Sequence, residues 1–176
     1  MLSLATMMAL GMAILSAQGQ QAADSGYTAS VRNRWNAIKR NISGSAEAMP
    51  DAEFAFKPTP EVRSFGELLG HLANEHYMLC SGIKGETNPH AAVDFEKKST
   101  KAEFVKDIND SIAYCDAAYT AIKDDPKATT PFTPNRRDTP FSLMLLNVTH
   151  DSEHYGNLVT YLRLKGIVPP SSQPSR

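Results

Sequence analysis

His150 and His154 stand four residues apart in the run Asn147-Val148-Thr149-His150-Asp151-Ser152-Glu153-His154. On a helix that spacing puts two imidazoles on one face, one turn above the other, so both can direct a ring nitrogen at one metal ion. On a helical wheel they share their face with Leu143, Leu158 and Tyr161. They therefore point into a protein interior, where each neutral imidazole needs partners for its ring nitrogens. A metal ion is one such partner. A bond between the two rings, to Tyr161 or to water is the other reading. Two imidazoles on one helix seldom hold an ion alone, and an earlier apolar segment offers His71 and His76 as a third ligand. The residue pattern does not choose between them: His76 sits nearer the middle of the apolar stripe, and His71 lies on its flank beside Glu75. The fifth histidine, His90, follows Pro89 in a loop and reads as solvated.

The same run also fits H-x-x-E-H, an inverted zinc-protease signature whose enzymes take a further ligand from well downstream. The 22 residues after His154 contain no Asp or Glu, which excludes that reading, and H-E-x-x-H is absent because Asp151 follows His150.

Four segments of helical periodicity must position these residues. The first, about Thr28 to Ala48, carries Val31, Trp35, Ile38, Ile42 and Met49 at three-, four- and seven-residue steps, and Pro50 closes it. The second opens with the capping box Ser64-Phe65-Gly66-Glu67, buries Phe65, Leu68, Leu69, Leu72, Leu79 and Ile83, and stops at Gly82 and Gly85. The third opens with a second capping box at Thr100-Lys101-Ala102-Glu103, continues through Val105, Ile108, Ile112, Cys115, Tyr119 and Ile122, and ends at Asp124-Asp125-Pro126. The fourth runs from Thr139-Pro140 to about Lys165, before Gly166. Apolar residues surround so much of its circumference that it is expected to be heavily buried. No stretch alternates as a strand. The expected class is all-α, a four-helix bundle whose long connections imply at least one crossover.

Residues 2–16 carry no charge, and the first charged side chain is Asp24. The run is short for a membrane span and suits the apolar core of a signal peptide, with Ala17-Gln18-Gly19 as the cleavage site. Residues 1–19 are thus expected to be a leader, 25–170 the bundle and 171–176 a loose tail. The mature chain is then exported, periplasmic or secreted, with no membrane span. An uncleaved anchor, or a cytoplasmic protein with a misplaced start, is the alternative. Export permits a disulfide between Cys80 and Cys115, although both fall on apolar helix faces and read more simply as small buried residues. The 18 basic and 19 acidic side chains leave a net charge of −1, with no basic face for nucleic acid.

Three runs, Met49 to Phe65, Ser64 to Cys80 (SFGELLGHLANEHYMLC) and His150 to Ser172 (HDSEHYGNLVTYLRLKGIVPPSS), resemble signature segments of the DinB-like (DinB/YfiT-like) family. The resemblance covers nearly all of the chain after the leader. It implies an up-down-down-up four-helix bundle. It also implies a metal-ligand set of His71, His150 and His154, because the family places a histidine directly after paired apolar residues, here Leu68-Leu69-Gly70-His71. His76, Asn147 and Tyr161 then become supporting residues around the ligands. One divalent ion is implied, and three neutral imidazoles accept zinc, nickel, manganese or iron. Three protein ligands leave a coordination position open, as in catalytic sites. Some relatives look like transferases using low-molecular-weight thiols and others like hydrolases acting on small molecules. Non-catalytic metal binding and a metal-free helical interaction module are the competing readings. Glu75, Asp151 and Glu153 are the carboxylates available as bases, although a solvated helix-surface acid is the plainer reading of each. A homodimer is compatible with a small bundle.

Overall fold

The structure, a computed structural model, describes residues 26–123, 125, 128–133 and 135–174. The expected leader, residues 1–19, lies outside the described residues. Four helices dominate: α1 (Tyr27–Ala48), α2 (Phe65–Lys84), α3 (Lys101–Ala121) and α4 (Pro140–Leu164).

The helix starts follow from local chemistry. Ser64 Oγ accepts from the Glu67 amide at 3.1 Å while the Ser64 amide donates to Glu67 Oε2 at 2.7 Å. Thr100 and Glu103 repeat that reciprocal cap. Thr139 Oγ1 accepts from the Ser142 amide ahead of Pro140. Gly85 (φ 69°) ends α2 in the left-handed region that favours glycine.

Cross-helix contacts fix the directions. Gly66 lies against Phe104, His76 meets Ser111 and Cys80 meets Cys115, so α2 and α3 run parallel. His71 meets His150 and Gly82 meets Leu143, so α4 runs antiparallel to α2. Trp35 reaches Asp116 and Ser43 reaches Asn109, so α1 runs antiparallel to α3. The path is therefore up-down-down-up. α1 and α2 sit on one diagonal and α3 and α4 on the other, as the implied crossover requires. The centre is filled by the fully buried Trp35, Ile42, Met49, Leu69, Leu72, Leu79, Ile108, Leu143, Met144 and Leu158. A buried aliphatic or aromatic side chain of this size contributes roughly 1.5–3 kcal/mol.

Four features depart from the sequence reading. Cys80 and Cys115 are joined in a disulfide, with Cα atoms 5.2 Å apart, and are not free core residues; parallel α2 and α3 bring equivalent turns side by side. A short antiparallel hairpin, β1 (Thr130–Thr133) and β2 (Arg136–Asp138), precedes α4. Its strands are too short, and too interrupted by Pro131 and a register shift, to alternate in sequence. α4 is less buried than expected, with Phe141, Leu145 and Leu146 exposed on its outer side. The start of the tail is held, since the Ser171 hydroxyl accepts from Tyr155 at 2.8 Å and the Gln173 amide donates to the Pro170 carbonyl at 3.2 Å.

Candidate metal centre

His71 comes from the second turn of α2, and His150 and His154 from successive turns of α4. Because those helices run antiparallel and in contact, the three rings converge. His71 Nε2 lies 3.2 Å from His150 Nε2, and His154 Nε2 lies 3.1 Å from the same atom. One potential ligand atom from each residue falls within 4.8 Å of the other two, and no carboxylate joins that group among the described residues. The zinc–nitrogen distance of about 2.0–2.1 Å and a tetrahedral angle put ligand nitrogens roughly 3.3 Å apart. The two spacings to His150 fall close to that value and the remaining pair lies within 4.8 Å, so the donor set suits an ion of this size.

The opposite ring nitrogens show how the rings are held. His71 Nδ1 is 3.1 Å from Glu96 Oε1. A carboxylate only accepts, so Nδ1 donates this bond, and in the neutral tautomer it selects, Nε2 presents the lone pair to the centre. Glu96 is itself gripped by Arg63, whose Nε donates to Oε2 at 2.9 Å. His154 Nδ1 lies 3.3 Å from the Asn157 carboxamide, which can serve either tautomer by turning its nitrogen or its oxygen to the ring. His150 Nδ1 is buried with no hydrogen-bond partner among the described residues. Burial, reinforced by the neighbouring histidines, holds the His150 imidazole down to about 4. Burial likewise lowers His154. Both rings are therefore neutral near pH 7 and keep lone pairs available.

Glu96 reaches His71 because a loop packs hard against α2. A Cβ on Gly70 would collide with the Phe95 carbonyl, so only glycine lets the Asp94–Lys97 turn settle one residue before the ligand. Asp94 caps that turn by accepting from the Glu96 amide at 3.1 Å, and the Phe95 amide donates to Asn74 Oδ1 at 3.1 Å.

The other expected site residues lie elsewhere. His76 is fully buried, with Nδ1 2.9 Å from Ser111 Oγ and Nε2 3.0 Å from Asp151 Oδ1. Asn147 donates to Asp151 Oδ2 and to the Tyr119 hydroxyl, and Tyr119 donates to the Met144 carbonyl. His76 and Asn147 thus belong to a sealed polar chain beneath the histidines and hydrogen-bond none of them. Asp151 is a core residue of that chain, neither a solvated acid nor a base open to substrate. Tyr161 gives its hydroxyl to the Arg63 carbonyl at 2.7 Å and hydrogen-bonds none of the three histidines. Glu153 is exposed, as the plainer reading expected. Glu75 is partly buried, which raises its carboxyl above the usual range, but it stands outside the ligand group. His90 is not free in solvent, since its ring packs against Tyr77 and Phe95.

Sequence reasoning missed Glu96, Arg63 and Asn157. One signal did point toward Glu96: Gly66 and Gly70 stand four apart inside α2 and mark a face where other chain approaches closely.

Beside the histidines opens a cleft of about 660 Å³, lined on one side by His154, Asn157, Thr160 and Tyr161 and on the other by residues from Pro58 to Arg63.

A model of the DinB superfamily matches residues 34–158. A crystal structure of a DinB-like protein from Bacillus subtilis is similar to the chain at a TM-score of 0.66 and 18% identity, covering 82% of this chain and 99% of that one. A DinB-like protein from Bacillus cereus is similar at 0.66 and 14%, covering 80% and 93%. No match was found among curated proteins.

Proposed function

The chain belongs to the DinB superfamily, and we propose that it holds one divalent metal ion on His71, His150 and His154 and uses it in a reaction on a small molecule. The observation that carries this reading is the convergence of three imidazoles, with His71 Nε2 and His154 Nε2 each 3.1–3.2 Å from His150 Nε2 and the outer nitrogen of His71 held by Glu96. Such an arrangement places lone pairs face to face, which a cation relieves. The likeness to the two Bacillus structures, at this identity, supports the fold alone.

The reaction we propose is a thiol S-transfer or a hydrolysis. A bound zinc, nickel, manganese or iron ion supplies Lewis acidity and eases deprotonation of a thiol or water. The protein's own groups keep the His150 and His154 rings neutral, fix His71 through Glu96, and open the His154 side to a cleft large enough for a small substrate. The absence of a fourth protein ligand among the described residues favours this reading over a structural ion, which normally takes four. The substrate proposed is a low-molecular-weight compound, with a thiol as one partner, and not nucleic acid. Location in an exported compartment is also a proposal, supported by the Cys80–Cys115 disulfide.

The test is elemental analysis of the purified protein beside a His150→Ala/His154→Ala variant. Near one equivalent of metal in the wild type and none in the variant is the expected result. A wild type that takes up no zinc, nickel or manganese when these are supplied would overturn it.

A further inference from the structure

Arg63 stands where the site opens to solvent. Its side chain is held by Nε, which donates to Glu96 Oε2 at 2.9 Å, and its backbone by the carbonyl, which receives the Tyr161 hydroxyl at 2.7 Å. Its two terminal nitrogens have no partner among the described residues, and the side chain is 42% exposed in the cleft. Through Glu96 the guanidinium is two hydrogen bonds from the His71 ring. It is the one lysine or arginine among the residues that line the cleft, and Val62, Leu68 and Tyr161 supply the apolar surface there.

An arginine gripped through Nε keeps the fork between Nη1 and Nη2, whose parallel N–H groups match the two oxygens of a carboxylate. Holding the side chain in place beforehand lowers the ordering cost that a mobile surface arginine would incur on binding. We infer that Arg63 is the receptor for a carboxylate on the substrate, so that the cleft takes small molecules with a metal-binding donor at one end and a carboxylate at the other. Glu61 lines the same cleft, but it is exposed to water and its repulsion is screened. This inference rests on the metal-site reading and narrows it to a substrate class.

The test uses the full-length protein loaded with cobalt(II), whose absorption changes when a thiolate binds. Three probes of similar size are titrated: 3-mercaptopropionate, 2-mercaptoethanol and cysteamine. The expected order in the wild type is acid, then alcohol, then amine, with acid over alcohol by about tenfold. With cobalt supplied at saturation and occupancy checked in each variant, Arg63→Leu should bring that ratio close to one, and Arg63→Lys should keep part of it. Equal binding of the three probes by the cobalt-loaded wild type overturns the inference and leaves the metal site standing. A preference for the acid that survives in Arg63→Leu also overturns it, because chelation of the ion by the probe's own carboxylate would then be the cause. Failure of the wild type to bind cobalt overturns both readings.

Discussion

Glu96 is the side chain on which the proposed centre most depends beyond its three ligands. Partners that hold the far nitrogen of a ligating histidine are typically worth 10- to 100-fold in metal affinity. Glu96→Gln, which keeps the shape and loses the charge, should weaken zinc binding by roughly that factor in a competition titration. An unchanged affinity would show that His71 needs no outer partner. The histidines also predict how the metal-free protein responds to acid. His150 is held near 4 when folded and has an ordinary value of 6.5. Between those values the unfolded chain binds a proton that the folded chain refuses, so stability should fall as pH drops from about 6.5 toward 4. Urea midpoints of the metal-free wild type should decline across that window more steeply than those of His150→Gln. Equal slopes would mean that His150 is not the group responsible. The pair His150 and His154 was legible in the sequence because their juxtaposition is local to one helix. Residue pattern left His71 and His76 unresolved, and family resemblance singled out His71. Asp151 was misjudged because a carboxylate in the core is intelligible only beside His76, which comes from another helix.

The elements show the same division between local and distant causes. The starts of α2, α3 and α4 could be read to the residue, since each cap is a bond between side chain and backbone three positions apart. The hairpin and the Asp94–Lys97 turn could not, because each takes its shape from packing against α2. Gly70 makes that packing testable. Gly70→Ala should force the turn outward, costing about 1–3 kcal/mol as an overpacked contact does, and should weaken metal binding because Glu96 moves with the turn. Thermal melts and the same zinc titration measure the two effects. A variant with lowered stability and full affinity would separate the turn from the centre.

At the scale of the whole molecule, the four helices and their path were legible from apolar spacing and resemblance together, while the bond between Cys80 and Cys115 was not, because pairing depends on which helices lie side by side. No helix of the described residues is long and apolar enough to cross a membrane. The disulfide spans a sequence separation of 35 residues, and loss of a crosslink of that span costs about 2–4 kcal/mol. Denaturant midpoints with and without reductant should differ accordingly. A difference near zero would mean that the α2–α3 packing already holds everything the bond does. The closed ring from Cys80 to Cys115 contains Asp94, Phe95 and Glu96. The carboxylate that orients His71 is therefore carried on a covalently closed segment anchored at both ends in the bundle core. Reduction would lengthen the leash on Glu96 without touching any ligand, so the redox state of the surroundings would reach the proposed metal centre as a change in how firmly Glu96 holds the His71 ring.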